Sequence, residues 1–350
     1  AMARVTVFGA GIFGLSVAWA HAQRGAEVEV VDLSGPASGA SGGIVGALAP
    51  HVPENWNDKK AFQFESLDRG EAFWSRIEEV SRRSTGYARL GRIQPLNEES
   101  EALAKARTRS AETFWEGRYT WRIEDAAPYS DRLPEGTAKV IFDNLTARIH
   151  PRRATLALAQ ALRELGVRIV DKPKQTPEFE VWATGAAGLA ALSAELDQPM
   201  GNAVKGQAAL LGCDLGASPQ IFVNGLHIIP HDDGTVAVGS TSERDFEDAT
   251  GTDAQLDEVI TRARALCPAL RDAPVLERWA ALRPRAKSRA PMLGPHPHRS
   301  HVFIANGGFK IGFGMAPQVG EVMADLILEG RDRIPGSFRV DANLRKATEA

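Results

Sequence analysis

Residues 5–14 are Val-Thr-Val-Phe-Gly-Ala-Gly-Ile-Phe-Gly, and residues 28–32 are Val-Glu-Val-Val-Asp. The first run predicts a β-strand that turns through the spacing Gly-x-Gly-x-x-Gly into an alanine-rich helix. The second run predicts a neighbouring strand that ends on an acid. A glycine-rich turn alone can be a turn that binds nothing, but the strands, helix and acid around this one favour a dinucleotide site.

Each glycine of this turn has a separate predicted role. Gly9 permits the tight turn out of the strand, Gly11 lets the backbone approach a pyrophosphate, and Gly14 lets the helix lie close to the strand. The helix begins at Ile12 and Phe13, where free amides and the positive end of the helix dipole attract phosphate. We expect all five residues to contact the cofactor.

The second strand ends at Asp32, 18 positions past Gly14. A carboxylate at this place accepts hydrogen bonds from ribose hydroxyls and repels a 2′-phosphate, which argues against NADP. Leu33 follows directly and is included in the predicted cofactor site.

A segment of small residues, 35–50, follows where a nicotinamide-binding fold would enter another helix and strand. Its serines, Ser38 and Ser41, and its bare backbone at Gly42 and Gly43 suit a long cofactor with a pyrophosphate in its middle. The alternative is a flexible loop. The position directly after the ribose-binding acid favours the cofactor.

The same segment contains Gly39-Ala-Ser41-Gly-Gly43, which matches the nucleophile elbow of serine hydrolases. That motif requires a strand that runs directly into the turn, and Gly-Pro-Ala-Ser precedes it here. We therefore expect no hydrolase elbow.

Composition is that of an ordinary globular protein. The 350 residues are 43% hydrophobic and 24% charged, with 41 basic and 44 acidic residues, which allows two domains or one domain built of interleaved parts. No basic block stands out, so we expect no nucleic-acid partner.

No apolar run is long enough to span a bilayer. The first strand begins so early that we expect no signal peptide, and Ala1-Met2 resembles a cloning remnant. Cys213 and Cys267 match no metal or redox motif, so reduced thiols and a cytoplasmic location are expected.

The remaining chain predicts helices interrupted by strands. We expect helices at 58–83, 98–116, 151–165, 256–266 (opened by a capping box at Thr252) and 316–329, where Pro317 occupies the first turn. Strands are expected at 88–94, 119–123, 138–144, 167–170, 180–183, across the alternating region 202–241, at 275–282 and at 301–305. The strand at 180–183 ends in Thr184-Gly185, which permits a sharp turn beside a nucleotide.

The last loop, residues 306–314, is rich in glycine and precedes the last helix. Such a loop aims the positive end of a helix dipole at its ligand. A reduced flavin ring gathers negative charge and suits this place, so we predict that Gly308, Phe309 and Gly312 contact a flavin.

Histidines do not predict a metal site. His227 and His231 lie on one side of a strand but about 13 Å apart at ~3.3 Å per residue. His296, His298 and His301 fall in a proline-rich loop and are expected to face solvent.

The whole pattern resembles the D-amino acid oxidase family of FAD-dependent oxidoreductases, and most of all its glycine oxidase, sarcosine oxidase and D-amino acid dehydrogenase branch. The similar stretches keep the family's order: 9–32, 37–50, 149–152, 181–185, 204–207, 229–239, 282–284 and 306–317.

The resemblance implies an α/β fold in which a Rossmann-like FAD-binding domain of the GR2 type is interleaved with an antiparallel-sheet α+β substrate domain. It assigns residues 1–85, 148–195 and 290–350 to the FAD-binding domain and residues 86–147 and 196–289 to the substrate domain.

The resemblance also implies that Arg283 pairs with a substrate carboxylate, because a guanidinium binds carboxylate in a bidentate manner. The alternative is a surface or domain-interface arginine. Arg285 and Arg289 are weaker candidates. Trp279 is expected to pack on the sheet.

The chain departs from the family in its last loop. Glycine oxidases resemble Gly-His-Phe-Arg there, whereas this chain has Gly307-Gly-Phe-Lys310. The resemblance leaves three roles open for Lys310: a second carboxylate ligand, a promoter of superoxide formation, or a ligand of a flavin carbonyl. No cysteine occurs in this loop, so noncovalent FAD is expected. The stretch 170–178 is short for the family's adenine-side hairpin.

These features predict an enzyme that oxidises a small amine to the imine by hydride transfer to flavin N5. The expected substrate is an amino acid of the glycine, D-amino acid or N-alkyl glycine type. Oxygen or another electron acceptor then reoxidises the flavin, and a homo-oligomer is possible. Two alternatives are a hydroxy-acid or amino-acid dehydrogenase that uses a quinone, and a non-catalytic FAD-holding subunit. An NAD dehydrogenase is a more distant third alternative.

Overall fold

The computed structural model describes residues 2–345. Its helices are α1 (Ile12–Gln23), α2 (Asp58–Ser81), α3 (Glu101–Phe114), α4 (Pro151–Glu164), α5 (Gly185–Leu196), α6 (Ala254–Leu266) and α7 (Gly312–Glu329). Short 3₁₀ turns occur at 40–42, 98–100, 127–129, 268–270, 336–338 and 340–343.

The first eight strands are β1 (Arg4–Phe8), β2 (Glu27–Val31), β3 (Ala47–Leu48), β4 (Arg92–Leu96), β5 (Trp121–Asp125), β6 (Lys139–Asp143), β7 (Ala147–Arg148) and β8 (Arg168–Val170). The other eight are β9 (Phe179–Trp182), β10 (Gly201–Gly212), β11 (Gln220–Val223), β12 (Leu226–Pro230), β13 (Thr235–Gly239), β14 (Val275–Ala286), β15 (Met292–Pro295) and β16 (Val302–Asn306).

Six strands form a mostly parallel sheet in the order β15-β16-β9-β1-β2-β8. Only β15, at one edge, is antiparallel to its neighbour. The central strand β1 is fully buried at Val5 and Val7 because α1, α4 and α7 cover this part of the molecule. Close packing of α1 on α7 requires Gly320, where an added Cβ would lie 2.5 Å from the carbonyl oxygen of Ser16.

Eight strands form the second sheet in the order β14-β10-β13-β12-β11-β4-β6-β5. All neighbours are antiparallel except β11 and β4. One face of this sheet packs on α6 through apolar residues that include Ala209, Val238 and Leu256.

The opposite face of the second sheet meets the small-residue segment after β2. Ile44 from that segment packs on Ala208, Leu210, Ile229 and Ala237. The two-stranded pair β3–β7 lies beside this contact. The second sheet therefore forms a roof over the segment that the sequence assigned to the cofactor.

The predicted fold class is confirmed: a Rossmann-like α/β unit is interleaved with an antiparallel-sheet α+β unit. The domain boundaries stay a prediction, and their residue 1 and residues 346–350 lie outside the described residues.

Several predicted element bounds were wrong. The last helix begins at Gly312 rather than at 316, so Pro317 lies inside it. The N-cap of α6 is Asp253, whose carboxylate accepts from the Gln255 amide, and not Thr252. Strands β4, β5 and β6 are shifted by one to four residues at their starts, and 98–100 is a 3₁₀ turn.

Within the described residues, none of the helices combines the length and the apolar character needed to cross a bilayer. The same residues contain no group of three or more His, Cys, Asp or Glu side chains placed to hold a metal ion. His296, expected to face solvent, is instead buried and lies 3.1 Å from a carboxylate oxygen of Glu195.

Candidate active site

The glycine turn after β1 accepts no side chain at two of its positions. Gly9 has φ 110°, and a Cβ there would lie 2.0 Å from the carbonyl oxygen of Ala183. A Cβ on Gly14 would lie 1.9 Å from the carbonyl oxygen of Gly9. The turn therefore brings the end of β9 and the start of α1 into direct backbone contact, as the βαβ pattern predicted.

Asp32 anchors the end of β2 to this turn. Its carboxylate accepts hydrogen bonds from the amides of Ala10, at 2.8 Å, and Ser34, at 2.9 Å. Leu33 beside it is 82% exposed, which is unusual for a leucine and leaves an apolar surface next to the acid.

Ser41 lies at the start of α1. Its hydroxyl accepts a hydrogen bond from the Ile12 amide at 2.9 Å, and a Cβ on Gly11 would lie 3.1 Å from the same oxygen. The residue belongs to a short 3₁₀ turn that no strand precedes, so the hydrolase elbow does not form. Ser38 is exposed, and its hydroxyl donates to the carbonyl of Gly35.

Gly42 and Gly43 are buried under side chains of other elements. A Cβ on Gly42 would lie 2.0 Å from the carbonyl oxygen of Ala37, and one on Gly43 would lie 3.0 Å from the ring of Trp279. Arg152 at the start of α4 donates to both glycine carbonyls, through its side chain to Gly42 and its amide to Gly43. Trp279 thus covers the glycine segment as well as packing on its own sheet.

The starts of α1 and α7 meet. A Cβ on Gly308 would lie 3.0 Å from the ring of Phe13, and one on Gly312 would lie 3.6 Å from Ile12. Two helix N-termini therefore point into one region, where their dipoles add.

Thr184 and Gly185 reach the same region from the end of β9. The Gly185 carbonyl accepts from Asn306 at the end of β16, at 2.9 Å. The structure thus gathers the predicted cofactor residues of four chain segments along one edge of the first sheet.

A row of five residues crosses the second sheet above this edge. Hydrogen-bonding register places Trp279, Ala208, Gly239, His227 and Phe222 opposite one another in that order. The second and third members, Ala208 and Gly239, are the smallest, so the row has a shallow middle between aromatic side chains.

Arg283 lies next to this shallow middle. Its guanidinium covers Gly206 of β10, where a Cβ would lie 2.2 Å from the guanidinium carbon. It donates to the Ser240 hydroxyl at 2.6 Å and to the Thr241 carbonyl at 3.2 Å. Burial lowers the pKa of Arg283 to about 10, and the negative charge of Glu243 only partly opposes this effect.

Lys310 approaches from the last loop and is exposed to solvent. Partial desolvation lowers the pKa of its ammonium, and the positive charges of Arg283 and Arg285 lower it further. Neither Arg283 nor Lys310 forms an ion pair with a carboxylate of residues 2–345. A partly buried and a solvent-exposed cation, neither with a counter-ion among these residues, favour an anionic ligand.

Sequence reasoning missed the role of His227, which it weighed only as a metal ligand. Burial lowers the pKa of His227 to about 4, with further lowering by Arg92, Lys310 and Arg283. Its Nδ1 atom is buried and has no partner within the described part of the chain. The imidazole is therefore neutral at pH 7 and has a free nitrogen in a cationic pocket. The register of β12 against β13 places His227 beside Gly239, and this register cannot be read from the sequence alone.

The site fits FAD. A turn without side chains, two helix N-termini and a cationic flank suit the pyrophosphate and the electron-rich part of a flavin. Gly43 and Gly46 allow this segment to pack directly on Trp279 and Ile149, because a Cβ at either glycine would lie within 3.0 Å of them.

Comparison with known proteins also indicates an FAD-dependent enzyme. The family model for DAO, described as FAD dependent oxidoreductase, matches residues 4–326. A glycine oxidase of Pseudomonas aeruginosa is 28% identical over 367 residues, which cover 95% of this chain and 96% of that protein. A bifunctional protein ThiO/ThiG of a Nostoc species is 25% identical over 98% of this chain, which spans 56% of that relative's length. The crystal structure of glycine oxidase from Geobacillus kaustophilus superposes with a TM-score of 0.83 at 22% identity, and the match covers 98% of this chain and 100% of that one.

Proposed function

The chain belongs to the DAO family of FAD-dependent oxidoreductases, and on that premise we propose that it oxidises a small amino acid to the imine. The predicted resemblance to the D-amino acid oxidase family and the predicted FAD cofactor are thereby confirmed. The observation that carries the proposal is the guanidinium of Arg283, which is partly buried beside the shallow middle of the sheet and forms no ion pair within residues 2–345. Glycine, D-amino acid and N-alkyl glycine substrates all carry the carboxylate that such a group binds.

We propose that FAD lies along the edge of the first sheet. Gly11 would face the pyrophosphate together with the amide of Phe13. Gly9, Gly14 and Ile12, whose amide donates to Ser41, would shape the turn that holds it. Asp32 would accept from the ribose, and Leu33 would cover the adenine. The remaining cofactor ligands in this proposal are Ser38, Ser41, Gly42, Gly43, Thr184, Gly185, Gly308, Phe309 and Gly312.

Noncovalent binding is supported by the cysteines. Cys213 and Cys267 both pack in the core between the second sheet and α6, on the face away from the site. When bound, FAD supplies a two-electron acceptor at its N5 atom for the hydride of the substrate Cα.

Arg283 would fix the substrate carboxylate. Its two existing bonds, to Ser240 and Thr241, hold the guanidinium in one orientation before substrate binds. Because this orientation is already set, less rotamer entropy is lost on binding and the amine carbon is held at a fixed place.

His227 would hold the substrate amine. Since its pKa is about 4, it stays neutral and offers a ring nitrogen to the amine without repelling it. Neighbouring cations would also favour the amine over the ammonium form, so no strong base is required.

An anaerobic screen of amines and hydroxy acids against the FAD-loaded protein tests the proposal. We expect the flavin absorbance to bleach with at least one small amino acid, followed by ammonia release in air. Bleaching only by hydroxy acids, or by no compound of either class, would contradict it. Peroxide formation compared with dye reduction then identifies the acceptor. The acceptor, a homo-oligomer and the cytoplasmic location stay predictions.

A further inference from the structure

The pocket at Arg283 and Lys310 holds more positive charge than one substrate carboxylate can balance. Arg285 lies two residues after Arg283 on the same face of β14, and it too forms no ion pair within the described residues; its side chain donates only to the amide oxygen of Asn202. Desolvation lowers the pKa of Arg285, and the positive charges of Arg244 and Arg289 lower it further, so the cationic surface continues outward from the pocket.

Phe309 joins the inner and outer parts of this surface. The guanidinium carbon of Arg285 lies 5.6 Å from the centre of the Phe309 ring, and the ammonium of Lys310 lies 5.3 Å from it. The ring is fixed because the Phe309 amide donates to the Pro284 carbonyl at 3.0 Å and φ is 49°, in the left-handed region. Lys310 and Arg285 therefore share one rigid apolar support.

The protein's own acids do not balance these cations. Glu243 is the acid whose charge reaches Arg283, but its carboxylate accepts from Gln207, Thr241 and Gln255 behind the sheet. Gln207 alternates with Gly206 along β10, so that network lies on the face opposite the guanidinium. The cations thus remain available to a ligand.

We propose that the substrate is an amine with a second carboxylate, and that Lys310 and Arg285 bind this second group while Arg283 binds the first. The inference rests on the proposed amine oxidation. A monocarboxylic amino acid would occupy Arg283 and leave Lys310 and Arg285, which lie on the same Phe309 ring, without an anion, whereas a dicarboxylic one supplies an anion to both places. The substrate class is an iminodicarboxylate or an amino acid with an acidic side chain.

Binding of unreactive acids to the FAD-loaded protein tests the second site without catalysis. Isothermal titration with acetate, malonate and succinate should show a dicarboxylate bound at least about ten times more tightly than acetate, since a charge-assisted pair contributes about this factor. Lys310→Met and Arg285→Met should each lower the ratio of dicarboxylate to acetate affinity about tenfold or more. Lys310→Arg should restore the ratio.

Lys287→Met is the matched control. Lys287 is exposed and directly follows β14, and its substitution removes the same charge. It should leave the ratio unchanged. Equal weakening of acetate and malonate in Lys310→Met, or no preference for dicarboxylates in the wild type, overturns the inference.

Two substrate pairs connect binding to reaction. Sarcosine and iminodiacetate differ by one carboxylate on the nitrogen side, and D-alanine and D-aspartate differ by one on the side chain. We expect kcat/KM for flavin reduction to favour the dicarboxylic member of at least one pair by about tenfold or more. Flavin reduction by the monocarboxylic members alone overturns the second site and leaves amine oxidation standing. No reduction by any of the four, with dicarboxylate binding retained, contradicts amine oxidation instead.

Discussion

We expect Gly206→Ala to act on one group, the guanidinium of Arg283. The new methyl would lie 2.2 Å from the guanidinium carbon of Arg283 and 2.3 Å from each terminal nitrogen, distances that no structure tolerates. Those atoms are the far end of a flexible side chain, whereas Gly206 is held in β10 by pairing with Ala281 of β14 and by the neighbouring bridge of Lys205 to Glu243. The guanidinium must therefore move, and the strand need not.

The change in KM and the change in stability have separate causes. Movement breaks the bonds of Arg283 to Ser240 and Thr241 and removes the orientation of the carboxylate ligand. Hydrogen bonds to a charged group contribute about 1.5–3 kcal/mol, so we expect KM for a carboxylate substrate to rise about 10- to 150-fold. Stability should change by less than about 1 kcal/mol, because alanine in a strand restricts the unfolded chain more than glycine does.

Anaerobic flavin reduction at varied substrate concentration measures the binding and reduction steps separately. The variant should retain FAD and its melting temperature while its substrate affinity falls. Gly212→Ala is the control on the same strand, because a Cβ there comes no closer than 3.2 Å, to Pro274. It should match the wild type.

A double-mutant cycle with Arg283→Met makes the reasoning refutable. If Gly206→Ala acts only through the guanidinium, the double variant should bind substrate as weakly as Arg283→Met alone. Additive losses would mean that the methyl blocks the pocket directly. An unchanged KM in Arg283→Met would remove Arg283 from carboxylate binding altogether.

Three further outcomes are expected. Gly14→Ala should destabilise the protein by about 1–3 kcal/mol or more and yield it without FAD, whereas Gly39→Ala, which meets no atom within 4 Å, should be neutral in thermal denaturation and flavin absorbance. Asp32→Ala leaves the amides of Ala10 and Ser34 unpaired and should raise the FAD dissociation constant about tenfold or more in fluorescence titrations; an unchanged constant would contradict its role. Burial lowers the pKa of His21 from 6.5 to about 4, so at a pH between these values the unfolded chain binds a proton that the folded chain does not bind. The free energy of unfolding therefore falls as the pH falls from 6.5 to about 4. His21→Gln should reduce that loss by about 1–3 kcal/mol in denaturant titrations at pH 7 and pH 4.5, and an equal loss in both proteins would refute the assignment.

The geometry of the glycine turn and its acid could be predicted from the sequence, and the reason is distance along the chain. Gly14 and Asp32 contact backbone within one βαβ unit, so their spacing alone carries their geometry, whereas Gly9 packs on Ala183 from a distant strand. The start of α7 was missed for the opposite reason. Glycines 312 and 314 and Pro317 argue against a helix locally, but packing on α1 imposes one.

The substrate side depends on pairings that a single sequence does not contain. Alternation indicates which residues of β12 share a face, but it does not indicate that His227 lies opposite Gly239 and Phe222. Gly206 likewise has no motif, since its importance comes from a side chain 77 positions later.

The register of β14 connects the predicted cofactor side of the site with the predicted substrate side. A bulge near Leu276 separates the pairs Leu210–Glu277 and Leu211–Val275, after which alternate residues from Glu277 onward face the first sheet. Glu277 forms two bonds of 2.8 Å with Arg152 of α4, and Trp279 covers Gly43. Because a slip of one residue would turn all these side chains away together, the contacts to the cofactor segment also determine where Arg283 points. The proposed carboxylate binding by Arg283 therefore depends on contacts to the segment that is predicted to bind the cofactor.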